Sequence, residues 1–244
     1  MNASLIEEFD QTQRKSFLLL SRCVASLREG MTEAELDQEV RGMARDLGFD
    51  GWFHPPEIQF GQRTTSNAIW KIPSKTNQLR TGDLVVLDLG PAEGDTYGDV
   101  GVTVAFGGDE PPVLEVAREC VRATCGFASQ WKTVGELFVF SKAWAVNHRL
   151  TLGSTRSIGH AILPKEGLLT MNFPRSAHAA TWLRRNQIRF LNPARLEGIW
   201  ALRPMLSDGE NGAAFEEIIV VTGDTKKVLG RDSIAEIGTL PDPA

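Results

Sequence analysis

The sequence predicts an α/β fold (α+β) assembled from two similar halves, and three observations carry that reading. Helical periodicity and strand-like runs alternate along 244 residues, which is long enough for a sizeable core. Thr32, Glu35, Leu36 and Ala44 recur as Thr133, Glu136, Leu137 and Ala145, all shifted by 101 positions; such a repeat is the mark of internal duplication. Residues 82–106 contain two β-rich runs, 84–89 and 98–106, joined by a Gly/Pro/Asp loop, the pattern of a hairpin with a longer turn.

The elements follow in order. Residues 5–29 carry the apolar stripe Leu5, Phe9, Phe17, Leu20, Val24 and Leu27, spaced for a helix that Gly30 can end. Thr32-Glu33-Ala34-Glu35 is a capping box that opens a second helix reaching about Leu47. Residues 49–81 are rich in turn formers and offer one strand near 57–60. After the hairpin, Pro111-Pro112 precedes a third helix over about 113–131, and Thr133-Val134-Gly135-Glu136 opens a fourth over about 134–148. Strands are expected at 150–162, 198–206 and 215–221, with a closing hairpin that turns at Gly223-Asp224. No linker separates independent domains, so residues 1–244 read as one domain.

Composition removes several classes of function. The net charge is −5 with mixed signs, which argues against a nucleic-acid partner. No stretch approaches the roughly 18 apolar residues of a membrane span. The acidic start MNASLIEEFDQ has no signal-peptide core. Three cysteines, Cys23, Cys120 and Cys125, lack ligand-like spacing; reduced core thiols in a cytoplasmic protein are expected.

Chemistry concentrates on acidic residues inside the apolar strands. Asp88 interrupts the first run of the hairpin and Asp99 opens the second. Burying either carboxylate is costly without a positive neighbour, and two together repel. The pair therefore calls for a cation, a proton or an arginine. His160, after Gly159, and Glu216 lie on or beside other strands. Carboxylates with one imidazole suit a hard or borderline divalent ion such as Mn, Fe, Co or Zn. Glu217 is adjacent to Glu216, and on a strand the two face opposite sides, so one can point inward while the other is solvated.

The order LDLG…GDVGVTVAF, GH, GIWALRPML and AFEEIIVV resembles the methionine aminopeptidase, prolidase and creatinase superfamily over about residues 5–230. The resemblance implies the pita-bread fold: a curved, mostly antiparallel, internally duplicated sheet covered by helices. It also implies a metal site whose ligands run Asp, Asp, His, Glu, Glu in chain order, and Asp88, Asp99, His160 and Glu216 match four of the five. The fourth ligand, a Glu before Pro in the family, is Arg203 here, followed by Pro204.

That exchange moves the local charge by two units. A guanidinium about 4 Å from a divalent ion repels it by about 8 kcal/mol at an effective dielectric near ~20. One ion or none is therefore expected. Arg203 is expected in the place of the missing ion, paired with Asp99 and Glu216 in bidentate fashion. Two histidines that the family uses on substrate are also absent, which leaves His54 and His178 to take their place. By the family register, Trp70 and Trp200 flank the site, so Trp70, Trp200 and His178 are the expected substrate contacts.

Three functions remain open. The first is a divergent hydrolase of an amide or other C–N bond, acting on a small molecule or short peptide with an altered metal site. The second is a metal-free, creatinase-like enzyme with His160 as acid/base and Arg203 gripping a substrate carboxylate or stabilising developing charge. The third is a non-catalytic binding protein. A homodimer is left open.

Overall fold

The computed structural model describes residues 3–65, 72–153, 157–163 and 186–242. The first half opens with α1 (Ala3–Ala25) and α2 (Glu33–Asp46). Helix α1 stops four residues before the expected 29. Thr32 caps α2 with its side chain on the Glu35 amide, and the Glu35 carboxylate returns to the Thr32 amide. Strands β1 (Gly51–Phe60), β2 (Leu84–Glu93), β3 (Thr96–Tyr97) and β4 (Val100–Ala105) form one antiparallel sheet, with β2 between β1 on one side and β3 and β4 on the other.

The second half repeats the plan. Helices α3 (Pro112–Phe127) and α4 (Val134–Asn147) precede short strands β5 (Thr151–Leu152) and β6 (Gly159–Ala161). Strands β7 (Gly198–Leu202), β8 (Met205–Ser207), β9 (Gly212–Ala214), β10 (Glu217–Thr222) and β11 (Thr225–Val228) complete the chain. They sort into one antiparallel sheet ordered β11-β10-β7-β6 and another ordered β5-β8-β9.

The duplication is visible in backbone detail. Thr133 caps α4 with the same box as Thr32, at φ −90° and ψ 157° against −89° and 157°. Each cap residue also bridges to the segment ahead of a site-bearing strand, Thr32 to Gln78 and Thr133 to Arg195. The halves join where the Glu216 amide donates to the Gly101 carbonyl.

Two sequence expectations need correcting. The run 198–206 is not one strand. Pro204 has no N–H for a ladder, and the Arg203 amide turns to the Ile158 carbonyl at 2.7 Å. The chain therefore leaves one sheet after Leu202 and joins another at Met205. Glu217 is not solvated either: it is 1% exposed. Both of its oxygens accept from Arg231, at 2.9 and 3.2 Å, and the Gly238 amide adds a third bond. This pair clamps the C-terminal segment over α1, where the Arg231 guanidinium lies on the Phe17 ring.

Among the described residues, no helix is long and apolar enough to cross a membrane. The three cysteines are buried and free.

Candidate active site

Asp88 sits mid-strand on β2, directly opposite Glu57 on β1 and Gly101 on β4. Two carboxylates facing each other across a ladder repel, so this pair needs a cation. Arg203 supplies it. Its Nε lies 3.1 Å from Asp88 Oδ2 and 3.9 Å from Glu216 Oε2, while Nη2 lies 3.9 Å from Glu57 Oε2. The expected bidentate pairing with Asp99 and Glu216 is thus corrected: the principal partner is Asp88, with Glu57 and Glu216 further out. The reason is that both Asp99 oxygens face histidines.

Asp99 is the pivot. His160 Nε2 lies 3.0 Å from Oδ2 and His54 Nε2 lies 3.2 Å from Oδ1. Asp99 precedes β4 and takes no part in its ladder. Instead Gln13, wholly buried on α1, holds its backbone from both sides: the Gln13 amide donates to the Asp99 carbonyl, and the Asp99 N–H donates to Gln13 Oε1, each at 2.9 Å. Helix α1 can come this close because residue 98 is glycine; a Cβ there would lie 2.0 Å from Ser16 Oγ. Gln13→Leu leaves a buried donor and acceptor of Asp99 without partners, at about 1–3 kcal/mol each. Chemical denaturation is expected to report that loss.

His54, read from the sequence only as a stand-in for a missing substrate histidine, lies directly beside Asp88 and Asp99. It reaches the carboxylates because β1 is irregular: Pro55-Pro56 interrupts its ladder, and register shifts flank His54 on both sides. Gly90, its cross-strand partner, makes room for the ring; a Cβ there would lie 2.7 Å from His54 Cδ2. Each imidazole has Nδ1 on a backbone carbonyl, Pro55 for His54 at 2.8 Å and Ala161 for His160 at 3.0 Å. With Nδ1–H donating there, both rings turn Nε2 inward, as metal-bound histidines do when a second hydrogen bond orients them.

Electrostatics follow from this packing. Burial acts to raise Asp99, but His160 and His54 outweigh it and hold the carboxyl below its ordinary range. Burial likewise opposes ionisation of Asp88, and Arg203 and His54 bring it below the usual value. Glu216 goes the other way: burial, then the charges of Asp99 and Asp88, push it well above the carboxylate range. Burial disfavours charge on both imidazoles. Even so, Asp88 and Asp99 raise His54 well above its usual value, and Asp99 raises His160.

The donor set fits a divalent ion. Asp88 Oδ1 and Glu216 Oε2 are buried and accept no hydrogen bond, and Asp99 Oδ2 meets His160 outside hydrogen-bond geometry. Among the described residues, two three-donor clusters share Asp99: His54, Asp88 and Asp99, and then Asp99, His160 and Glu216, each with its ligand atoms within 4.8 Å of one another. Asp88, Asp99, His160 and Glu216, the four ligands expected from the sequence, therefore lie together with Arg203 among them.

The expected substrate contacts fare differently. Trp200 points away from this interior. Its strand neighbours Ala161 and Ile219 belong with it to the main core, while Ala201, opposite His160, belongs to the other cluster. An alternation of two residues puts Trp200 and Ala201 on opposite faces, so the Trp200 assignment is withdrawn. Trp70 and His178 lie outside the described residues. An aromatic wall comes instead from Phe53, whose ring is stacked on Tyr97 at 4.3 Å and lies 5.3 Å from His160 and 5.6 Å from His54.

The chain is similar to proteins of known name. It is 23% identical to methionine aminopeptidase A of Synechocystis sp. across 92% of this chain and 94% of that protein. Among solved structures, the X-Pro aminopeptidase of Thermotoga maritima superposes with a TM-score of 0.75 at 18% identity, covering 96% of this chain and 62% of that one. The prolidase of Pyrococcus furiosus gives 0.74 at 18%, covering 95% and 65%. The methionine aminopeptidase of Thermotoga maritima gives 0.75 at 16%, covering 95% and 98%. The chain thus spans less than two thirds of the X-Pro aminopeptidase and prolidase chains and nearly all of the methionine aminopeptidase. The fold is the pita-bread fold that these structures share. Since the metallopeptidase family M24 profile matches residues 7–223, the chain belongs to metallopeptidase family M24.

Proposed function

We propose that the chain hydrolyses an amide or other C–N bond of a small or short-peptide substrate, with one divalent ion where its relatives' pattern would supply ligands for two. The observation that carries this reading is Arg203 Nε at 3.1 Å from Asp88 Oδ2, beside buried carboxylate oxygens that still accept no hydrogen bond. The guanidinium neutralises part of the acidic cluster, and the remaining oxygens and imidazoles suit a single Mn, Fe, Co or Zn ion. When bound, such an ion polarises a substrate carbonyl and activates water.

The chain's own groups have separate tasks in this reading. His160, oriented by the Ala161 carbonyl, moves a proton at Nε2. Asp99 holds both imidazoles in register. Arg203 balances Asp88, Glu57 and Glu216 and so keeps the carboxylate cluster buried. Its guanidinium faces these protein carboxylates, with Asp88 the nearest at 3.1 Å. Phe53 and Tyr97 form an apolar wall that limits water beside His160.

A second reading has its own observation. Arg203 among three carboxylates, with an imidazole on each side of Asp99, already opposes positive to negative charge. A metal-free enzyme with His160 as acid/base is consistent with that balance. The decisive assay offers X-Pro dipeptides, Met-initiated peptides and small amides to protein purified without chelator, with and without one equivalent of Mn, Co or Zn. Turnover that needs the ion supports the first reading, and equal turnover after chelation supports the second. No turnover in any arm contradicts both and leaves a binding protein.

A further inference from the structure

We propose that His54 takes over the ligand role lost at position 203, so that the chain's cation lies in the cluster His54 Nε2, Asp88 and Asp99 rather than in the cluster of Asp99, His160 and Glu216. The inference rests on the single-ion reading above and specifies where that ion sits.

Donor geometry is the first argument. His54 Nε2 lies 3.4 Å from Asp88 Oδ1 and 3.2 Å from Asp99 Oδ1. Ligand bonds of about 2.0–2.2 Å at octahedral or tetrahedral angles separate neighbouring donors by about 2.8–3.6 Å. Both distances from His54 Nε2 fall in that range, and the ligand atoms of the three residues lie within 4.8 Å of one another. Asp88 Oδ1 is a buried acceptor without a hydrogen bond, in a residue 6% exposed, and it faces this cluster. The Pro55 carbonyl takes Nδ1–H of His54, so a ring that gives up its Nε2 proton when an ion enters offers that lone pair to the same point.

Arg203 decides between the clusters. On Asp88 it occupies Oδ2, which leaves Oδ1 for an ion on the His54 side. On Glu216 it approaches Oε2, the oxygen that accepts no hydrogen bond. An ion bound through Glu216 Oε2 would have the guanidinium 3.9 Å from that same ligand atom, whereas on Asp88 the guanidinium faces the other oxygen, Oδ2.

The structure around His54 is specific to this task. Pro55 and Pro56 free the strand from its ladder at that point, and Gly90 opens the space that the ring crosses. A core histidine would need neither.

The test is metal stoichiometry and affinity, measured on the full chain by equilibrium dialysis against Mn(II) with elemental analysis. Native protein is expected to bind one equivalent. His54→Ala is expected to weaken binding about 100-fold or more, and His160→Ala less than tenfold. His148→Ala, at the exposed histidine that caps the C-terminus of α4, serves as the control and should change nothing. Should His54→Ala fail to fold, His54→Gln keeps a polar group facing Asp99 and is expected to show the same loss. One equivalent with unchanged affinity in the folded His54 variant, lost instead in His160→Ala, overturns this inference and leaves the hydrolase reading standing. No binding by the native chain overturns the single-ion reading and this inference together.

Discussion

Replacing Arg203 with methionine, similar in reach but uncharged, is expected to destabilise the ion-free protein by about 3–5 kcal/mol, the usual loss when one member of a buried charge cluster is removed. The guanidinium lies between Asp88 and Glu57, which oppose each other across β1 and β2, and it faces Glu216 as well. Without it, buried Asp88 and Glu216 and half-buried Glu57 repel, with only the weakly basic imidazoles of His54 and His160 near them. Urea denaturation of metal-stripped protein measures the loss. Saturating Mn(II) should restore part of it, since a ligand at about 100 times its dissociation constant stabilises the native state by about 2.7 kcal/mol. Arg203→Glu makes the complementary change, supplying the acidic ligand of the family pattern, and should raise the ion capacity from one to two. A loss below about 1 kcal/mol in Arg203→Met contradicts the role of Arg203 as the counter-charge of the site.

Asp99→Asn is expected to lower kcat/KM by about 10³-fold or more, within the range that a positioned acid/base contributes. One carboxylate holds two imidazoles, through His54 on Oδ1 and His160 on Oδ2. Asparagine keeps the shape but offers one acceptor instead of two and carries no charge. The Gln13 clamp on the backbone is untouched by the change, so the fold should persist in circular dichroism while turnover collapses. Activity within tenfold of the native protein would show that neither imidazole works through Asp99.

Much of this was legible in the sequence because it rests on local rules. The two capping boxes follow from a Thr with a Glu three positions on. The Asp88–Asp99 hairpin follows from apolar alternation broken by two carboxylates. Position 203 stood out because a cation occupied an acidic slot. What sequence could not give is register across distant elements. Gln13 reads as one more polar residue on α1, and only packing brings it to Asp99, 86 positions away. His54 depends on a strand bulge, and the signal that could have found it was Pro55-Pro56 inside an otherwise strand-like run. Glu57 became part of the site only through its pairing with Asp88. Trp200 was misassigned because a strand alternates its faces, so one residue of uncertainty in register moves a side chain to the other side. Glu217, assigned to water, is instead the buried anchor of Arg231.

One ion and one guanidinium are expected to share a site whose family pattern provides ligands for two ions. Anomalous diffraction from crystals of the native chain grown with Mn(II) distinguishes the two arrangements. One peak is expected, bounded by His54 Nε2, Asp88 Oδ1 and Asp99 Oδ1, with Arg203 Nε still beside Asp88 Oδ2. Two peaks with the Arg203 side chain turned out to solvent would contradict it.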